Sequence, residues 1–179
     1  LLDGADITRL SPHQRCRAGI ARSHQIPQPF EKLTVFENCL VAAEFGRGGD
    51  RAGPADFVAG VLERTGLLPQ ANRVAGTLTL LERKRLEMAR ALATEPRILL
   101  LDEIAGGLTE GECRELVGTI RQLKRAKLTI LWIEHVMHAL TAVVERLVVL
   151  NFGTKIAEGA PKPVIASPQV REIYLGIEA

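Results

Sequence analysis

The fold is indicated first by the stretch ILLLDE at residues 98–103, in which four aliphatic side chains precede two carboxylates. A short, continuously apolar run of this kind is typical of a strand that is buried on both faces of a parallel sheet. Open α/β sheets bind their ligands beyond the carboxyl ends of such strands. Two adjacent carboxylates at that point are costly to bury without a compensating charge. The stretch therefore predicts an α/β sheet with an acidic site at its edge.

Two more apolar runs follow, at residues 129–133 and 147–150, and helical patterns at about 110–126 and 136–145 separate the three runs. Short apolar strands that alternate with helices predict a parallel sheet with helices on both faces. The other expected elements are a strand at 20–25, helices at 35–45, 55–65 and 82–94, a glycine-rich loop at 46–53, a hairpin-like return at 150–159 and a terminal helix from Ser167-Pro168.

The helix expected at residues 82–94 has an amphipathic pattern. Its apolar positions point inward and are Leu86, Met88, Ala89 and Leu92. Its charged positions are expected to be mostly exposed and are Glu82, Arg83, Lys84, Arg85 and Glu87. The basic residues at 83–85 are most simply explained as part of a solvated helix face. The alternative is that they contact a nucleotide or a partner.

Composition restricts the class of protein. The 179 residues are enough for one domain with a substantial core. The 23 basic and 21 acidic residues nearly balance, and aromatic residues make up 4%, so a nucleic-acid surface is not supported. No apolar run reaches the roughly 18 to 20 residues that span a bilayer, and no signal peptide is visible. Because the sequence begins at Leu1 in what resembles a strand end, we expect a piece of a longer protein.

The two carboxylates suggest metal-dependent hydrolysis. Mg²⁺ is commonly held by a carboxylate together with phosphate oxygens and waters, which would be the role of Asp102, while Glu103 would polarise an attacking water as general base. His135 follows the strand at 129–133. Because neighbouring parallel strands end at one edge, its side chain can reach the γ-phosphate of a nucleotide bound beside Asp102 and Glu103. Gln25, in a proline-bounded loop, could bind Mg²⁺ or orient water. The plain alternative is a strand-ending Asp, a helix-capping Glu and a surface His.

Taken in order, these segments resemble the nucleotide-binding subunits of ABC transporters. The matching features are a Q-loop glutamine at Gln25, a signature helix at 78–92, a Walker B strand at 98–103, a D-loop at 105–109 and a switch histidine at His135. The resemblance covers essentially all 179 residues. The sequence is most similar to the ATP-binding subunits for branched-chain amino acids and related amides. The stretches that carry this similarity are LDGADIT, GIAR, QIPQPF, LTVFEN and KIAEG, which begin at Leu2, Gly19, Gln25, Leu33 and Lys155.

The resemblance implies a P-loop NTPase-like parallel sheet with helices on both faces, a helical signature subdomain at roughly residues 34–95 and remnants of an antiparallel β subdomain. Together they would form one ABC ATPase domain, residues 1–179, incomplete at its N-terminus. It also implies that Glu103 and His135 are catalytic, and that Asp102 and Gln25 hold Mg²⁺. The residues implied to bind ATP are Gln25, Leu78, Thr79, Leu80, Leu81, Glu82, Asp102, Gly107 and Thr109.

Several positions depart from the family pattern. The phosphate-binding Gly-x-x-x-x-Gly-Lys-Ser/Thr loop is not found and would precede Leu1, so we expect this piece alone to bind ATP poorly. The signature Leu-Ser-Gly-Gly-Gln becomes LTLLE at residues 78–82, which keeps a hydroxyl at Thr79 but loses the backbone freedom of glycine. Three more positions differ from the usual residue: Ile104 replaces proline, Thr109 replaces Asp or Asn, and Val136 replaces Asp.

The resemblance implies partners and a location. Two ATPase subunits, identical or paralogous, would face each other head to tail, with each ATP between one phosphate loop and the opposite signature helix. Transmembrane permease subunits would be contacted through the helix at 35–45, and an extracytoplasmic solute-binding protein would belong to the same system. The chain would thus act at the cytoplasmic face of the membrane and drive import of branched-chain amino acids or related amides.

Other interpretations stay open. A truncated or degenerate module that only docks to a permease is motivated by the missing phosphate loop and the altered signature. A soluble ABC ATPase of DNA repair or translation is disfavoured by the near-neutral charge. His135 and His138 could pair on a metal, but no third ligand is apparent.

Overall fold

The computed structural model of the chain describes residues 1–46, 53–124 and 128–175. They divide into two units, Leu1–Val136 and Met137–Ala179. Residues 47–52 of the expected glycine-rich loop lie outside the described part of the chain. Within that part, no helix is long and apolar enough to cross a membrane. The assignment of residues 1–179 to one domain, with a helical subdomain near 34–95, stays a prediction.

A parallel sheet lies at the centre of the first unit. Its three strands pair in chain order and are β1 (Ile20–Arg22), β2 (Ile98–Asp102) and β3 (Thr129–Ile133). Leu99 and Leu101 of β2 are buried, whereas Ile98 and Leu100 are half-buried, so burial on the two faces is less complete than the apolar run predicts. In the ladder Asp102 lies opposite Ile133, so the residues that follow β2 and β3 meet at the same edge. The strand expected at 20–25 is shorter and ends at Arg22.

The described residues of the first unit also form five α-helices. They are α1 (Pro12–Arg17), α2 (Val35–Phe45), α3 (Pro54–Arg64), α4 (Leu80–Ala93) and α5 (Glu110–Lys124), with 3-10 turns at Leu68–Gln70 and Ala75–Thr77. Helices α2 and α4 begin at capping boxes in which Thr34 and Thr79 accept the amides of Glu37 and Glu82. Their positions agree with the predicted helices, apart from shifts of one or two residues at the ends.

The apolar positions of α4 are buried as predicted, but its charged positions do not all face solvent as expected. Lys84 is only 3% exposed and Glu87 only 4%. Both side chains are bonded to the loop at residues 25–30, which covers this face of the helix. Glu82, Arg83 and Arg85 are half-buried. The residue types indicated a solvated face, but tertiary packing places part of it inside.

An antiparallel hairpin dominates the second unit. β4 (Leu147–Asn151) pairs with β5 (Thr154–Gly159), and the ladder is irregular between Val149 and Leu150. The third apolar run is thus the first arm of the hairpin and does not form the parallel strand that was expected. The reason is the two-residue connection, which can join only antiparallel neighbours. The helices of this unit are α6 (Met137–Thr141), α7 (Pro161–Ala166) and α8 (Pro168–Leu175).

Candidate functional site

Three of the predicted residues converge beyond the carboxyl edge of the sheet. The amide nitrogen Nε2 of Gln25 donates to Oε2 of Glu103 at 2.7 Å. Nδ1 of His135 lies 3.6 Å from the same oxygen. The imidazole is exposed and the carboxylate about one-third exposed, so a ligand can reach both from solvent. The structure therefore brings Gln25, Glu103 and His135 to one carboxylate oxygen.

Asp102 lies beside this group with a different partner. Its Oδ2 accepts from Nη2 of Arg22 at 2.6 Å, and its amide donates to Oγ of buried Ser23 at 3.4 Å. Sequence reasoning missed Arg22. The available signal was its place at the end of β1, directly opposite Leu100 in the parallel ladder.

The backbone turn that carries Glu103 is unusual. Its φ of 43° lies in the left-handed region, which a side chain other than glycine adopts at an energetic cost. The Glu103 amide donates to the Ile133 carbonyl at 2.9 Å. The Glu103 carbonyl accepts from Nζ of Lys84 at 3.2 Å and from the Gly106 amide at 3.3 Å. The strained turn is therefore bonded on both its amide and its carbonyl side.

Two buried side chains of opposite charge adjoin this turn, and neither was predicted as part of the site. Nζ of Lys84 also donates to the Gln25 carbonyl at 3.1 Å. The Glu134 side chain is fully buried, and it accepts the Ala105 amide at 3.0 Å and the His135 amide at 3.2 Å. Burial lowers the pKa of the Lys84 ammonium, and the negative charges of Glu134 and Glu103 act in the opposite direction.

The signature residues form a second group at the start of α4. The Thr79 amide donates to Glu82 at 2.8 Å, and Glu82 also accepts from Nη1 of Arg73 at 2.9 Å. Leu78 and Leu81 are buried, whereas Leu80 is exposed. Gly107 adopts a φ of 77°, and a Cβ at this position would lie 3.3 Å from Cδ2 of Leu80. The signature segment and the expected D-loop thus touch at Leu80 and Gly107.

Thr109 caps α5 in the same way as Thr79 caps α4. Its amide and its hydroxyl both donate to Oε2 of Glu112 at 2.8 Å, and the Glu112 amide donates back to Oγ1 at 3.3 Å. These hydrogen bonds lower the pKa of the Glu112 carboxyl. The family resemblance implied only that Thr79 and Thr109 contact the nucleotide. In the structure each of them also caps the start of a helix.

The loop that carries Gln25 is anchored to two helices. Oδ1 of Asn38, buried in α2, accepts the Phe30 amide at 2.8 Å, and its Nδ2 donates to the Phe30 carbonyl at 3.1 Å. From α4, Oε1 of Glu87 accepts the Gln28 amide at 3.0 Å, while Arg90 donates to the Gln28 carbonyl at 2.8 Å. The Arg90 guanidinium also lies 5.1 Å from the centre of the Phe30 ring.

Replacing Asn38 by alanine is expected to lower the free energy of unfolding by about 1–3 kcal/mol, because the Phe30 amide and carbonyl would lose their buried partner. Urea denaturation of the 179-residue chain measures this difference. Asn72→Ala, at an exposed asparagine, should change stability by less than about 0.5 kcal/mol. Equal effects of the two substitutions would show that Asn38 does not anchor the loop.

No group of three His, Cys, Asp or Glu side chains that could hold a metal is found among the described residues. Among these residues, the structure therefore shows no third metal ligand beside a pair formed by His135 and His138. The residues assigned to Mg²⁺, the Asp102 carboxylate and the Gln25 side-chain amide, offer hard oxygen donors, which suit Mg²⁺ better than zinc.

The described residues thus form a parallel sheet with a glutamine, a glutamate and a histidine beyond its carboxyl edge. The family model described as ABC transporter matches residues 1–106. The chain is 36% identical over 192 residues to the high-affinity branched-chain amino acid transport ATP-binding protein BraF of Pseudomonas aeruginosa, covering 98% of this chain and 74% of the relative. It is 37% identical over 193 residues to LivG of Escherichia coli, a protein with the same description, covering 98% and 75%.

Solved structures agree with this result. A nucleotide-free ATP-binding cassette from an ABC transporter superposes with a TM-score of 0.83 at 29% identity, covering 98% of this chain and 76% of the other. The ADP conformation of MJ1267, an ATP-binding cassette, gives a TM-score of 0.84 at 30% identity, covering 97% and 74%. The chain belongs to the ABC transporter family. Within it, the chain is an ATP-binding subunit of the ATPase class, homologous to branched-chain amino acid transport ATP-binding proteins.

Proposed function

We propose that this chain hydrolyses ATP for an importer of branched-chain amino acids or related amides and couples hydrolysis to a membrane permease. The observation that carries the proposal is the convergence of Gln25 and His135 on Oε2 of Glu103, at 2.7 and 3.6 Å. A carboxylate held in this way, at the edge where parallel sheets bind ligands, can orient and deprotonate a water molecule. The relatives named above transport branched-chain amino acids, which supports the choice of solute.

Each side chain of the site has a distinct chemical task in this proposal. Glu103 accepts a proton from the attacking water, because its carboxylate lies beyond the edge of the sheet and is open to solvent on one side. His135 stabilises the charge that develops on the γ-phosphate by donating a hydrogen bond from its exposed ring. Gln25 keeps the Glu103 carboxylate oriented through the bond to its Oε2. Because Gln25 begins the loop at residues 25–30, its contact with a nucleotide site would couple nucleotide binding to the position of that loop.

The donor set at Asp102 fits Mg²⁺. Mg²⁺ prefers hard oxygen ligands and is usually held by one or two protein carboxylates, with phosphate oxygens and waters completing its shell. When bound, it neutralises the phosphate charge that develops during hydrolysis. Asp102 would hold it directly or through water, and Gln25 would contribute its amide oxygen. Arg22, which pairs with Oδ2 of Asp102, would then share or release that carboxylate.

A second ATPase subunit completes the proposed machine. The hydroxyl of Thr79 lies at the start of α4, where the helix dipole favours an anionic ligand such as the γ-phosphate of a nucleotide held by the other subunit. Leu80, exposed beside Gly107, would lie in the same contact. The permease would hold the pair at the cytoplasmic face of the membrane and, with an extracytoplasmic solute-binding protein, would determine the solute.

The proposal is tested by uptake of radiolabelled leucine, isoleucine and valine in cells from which the gene has been deleted. Loss of ATP-dependent uptake, restored by the gene on a plasmid, is expected. Purified together with its permease, the protein should hydrolyse ATP, and the solute-binding protein loaded with solute should stimulate this hydrolysis. Normal uptake in the deletion strain would refute the solute assignment, and permease binding without hydrolysis would identify a docking module.

A further inference from the structure

The most buried charges near the site belong to Lys84 and Glu134, to which the proposed reaction gives no role. Lys84 is 3% exposed and the side chain of Glu134 is fully buried. The two lie in different elements, Lys84 in the second turn of α4 and Glu134 directly after β3. Burying charges is costly, and well-packed apolar side chains of the same size often stabilise a core as well or better. Stability therefore gives little reason to place two charged groups here.

Lys84 connects the two backbone segments whose side chains meet in the site. Its Nζ donates to the Gln25 carbonyl at 3.1 Å and to the Glu103 carbonyl at 3.2 Å. The side chains of these same two residues form the 2.7 Å bond between Nε2 and Oε2. A single ammonium group thus fixes the distance between the loop of Gln25 and the turn of Glu103.

Glu134 restrains the same turn from its other side. Its Oε2 accepts the Ala105 amide at 3.0 Å, and its Oε1 accepts the amide of His135 at 3.2 Å. Glu103 has a positive φ of 43°, and Ile104, which follows it, has no ring to restrict the backbone. Contacts from outside the turn must therefore maintain its conformation, and Lys84 and Glu134 supply them.

We infer that Lys84 and Glu134 are positioning residues for ATP hydrolysis, which together hold Glu103, Gln25 and His135 in the geometry that the reaction requires. This inference rests on the proposed function. It also gives α4 a mechanical role, because the helix begins at Thr79 and carries Lys84 little more than one turn later. A displacement of α4 would reach Gln25 and Glu103 through one side chain.

The test compares three variants of the protein expressed from its own gene and purified with its permease: Lys84→Met, Lys84→Arg and Arg85→Met. For Lys84→Met we expect kcat to fall about tenfold to a hundredfold while KM for ATP changes less than about threefold, since the site is misaligned and nucleotide contacts remain. Lys84→Arg, which keeps a charged donor, should recover kcat to within about fivefold of the unaltered protein.

Arg85→Met is the matched control. The substitution removes a positive charge from the next residue of the same helix. In the unaltered protein, Nη2 of Arg85 contacts Glu115 of α5 at 3.0 Å and does not contact the site. The kcat of this variant should stay within about twofold of the unaltered value. Equal kcat values for Lys84→Met and Arg85→Met, or failure of Lys84→Arg to recover activity, would overturn the inference.

A double variant separates positioning from folding. Lys84→Met alone leaves Glu134 buried without its counter-charge, and Lys84→Met/Glu134→Gln removes that charge while keeping an oxygen for the Ala105 amide. We expect the melting temperature of the double variant to rise above that of Lys84→Met, with kcat still low. If kcat of the double variant recovers together with its melting temperature, Lys84 only stabilises the fold and does not position the site.

Amide hydrogen exchange of the 179-residue chain gives a readout that does not depend on hydrolysis. Exchange at Glu103 and Gly106 should be at least about tenfold faster in Lys84→Met than in Arg85→Met, because the bond that supports the turn is lost. Unchanged exchange would contradict the positioning role even where ATPase activity exists. Faster exchange in a protein that hydrolyses no ATP would instead refute the proposed function and leave the structural restraint intact.

Discussion

ATP hydrolysis by Glu103→Gln is expected to be about 10²–10⁴ times slower than that of the unaltered protein, the range that loss of a general base produces. Glutamine has nearly the shape of glutamate and can still accept the hydrogen bond that Gln25 donates at 2.7 Å. It cannot take a proton from water. The variant therefore removes the chemical step and preserves the arrangement around it.

Nucleotide-dependent dimerisation should persist in Glu103→Gln, because the change leaves Thr79 and the contact between Leu80 and Gly107 untouched. Steady-state phosphate release and light scattering with and without ATP and Mg²⁺ measure the two properties in the protein expressed from its own gene. Glu115→Gln, at an exposed glutamate paired with Arg85, is the control and should alter hydrolysis by less than about twofold. Undiminished hydrolysis by Glu103→Gln would exclude this glutamate as the base.

Leu99→Ala is expected to destabilise the chain by about 2–5 kcal/mol, the range for removing a fully buried leucine side chain. Leu99 lies in the central strand, paired with Ala21 on one side and Ile130 on the other, so neither neighbour can move in to fill the cavity. The loss should appear as a lower urea midpoint with an unchanged slope.

Leu131→Ala is the control for this substitution. Leu131 lies in the adjacent strand β3 but is 59% exposed, so its truncation should cost less than about 1 kcal/mol. Equal losses at Leu99 and Leu131 would mean that β2 is not the buried centre of the sheet. A loss at Leu99 together with a changed slope would point to an altered denatured ensemble and not to a cavity.

The sequence predicted those elements whose signals are local. The apolar run of β2 and the amphipathic pattern of α4 depend on neighbours in the chain, and the structure places both elements as expected. Glu103 and His135 could be brought together because parallel strands end at a common edge, which is a rule of topology and not of side-chain contact. Gln25 was assigned to the site by the family resemblance.

The missed residues are those whose position depends on partners far away in the chain. Lys84 was assigned to a solvated face because a helical pattern counts every lysine as polar, whereas its actual partners are carbonyls of residues 59 and 19 positions away. Arg22 and Glu134 were overlooked for the same reason. The hairpin-like return at 150–159 was predicted, but the apolar run that forms β4 was also assigned to the parallel sheet, because a short apolar run has the same pattern in both kinds of sheet.

The ladder between β2 and β3 has a consequence for how this chain can change in evolution or by engineering. Asp102 is paired with Ile133, so the separation of Glu103 and His135 depends on hydrogen bonds across the sheet and not on the number of residues that connect the two strands. Insertions between α5 and β3 can lengthen that connection without moving the two side chains apart. A single residue inserted within either strand would shift the register and turn every following side chain to the opposite face.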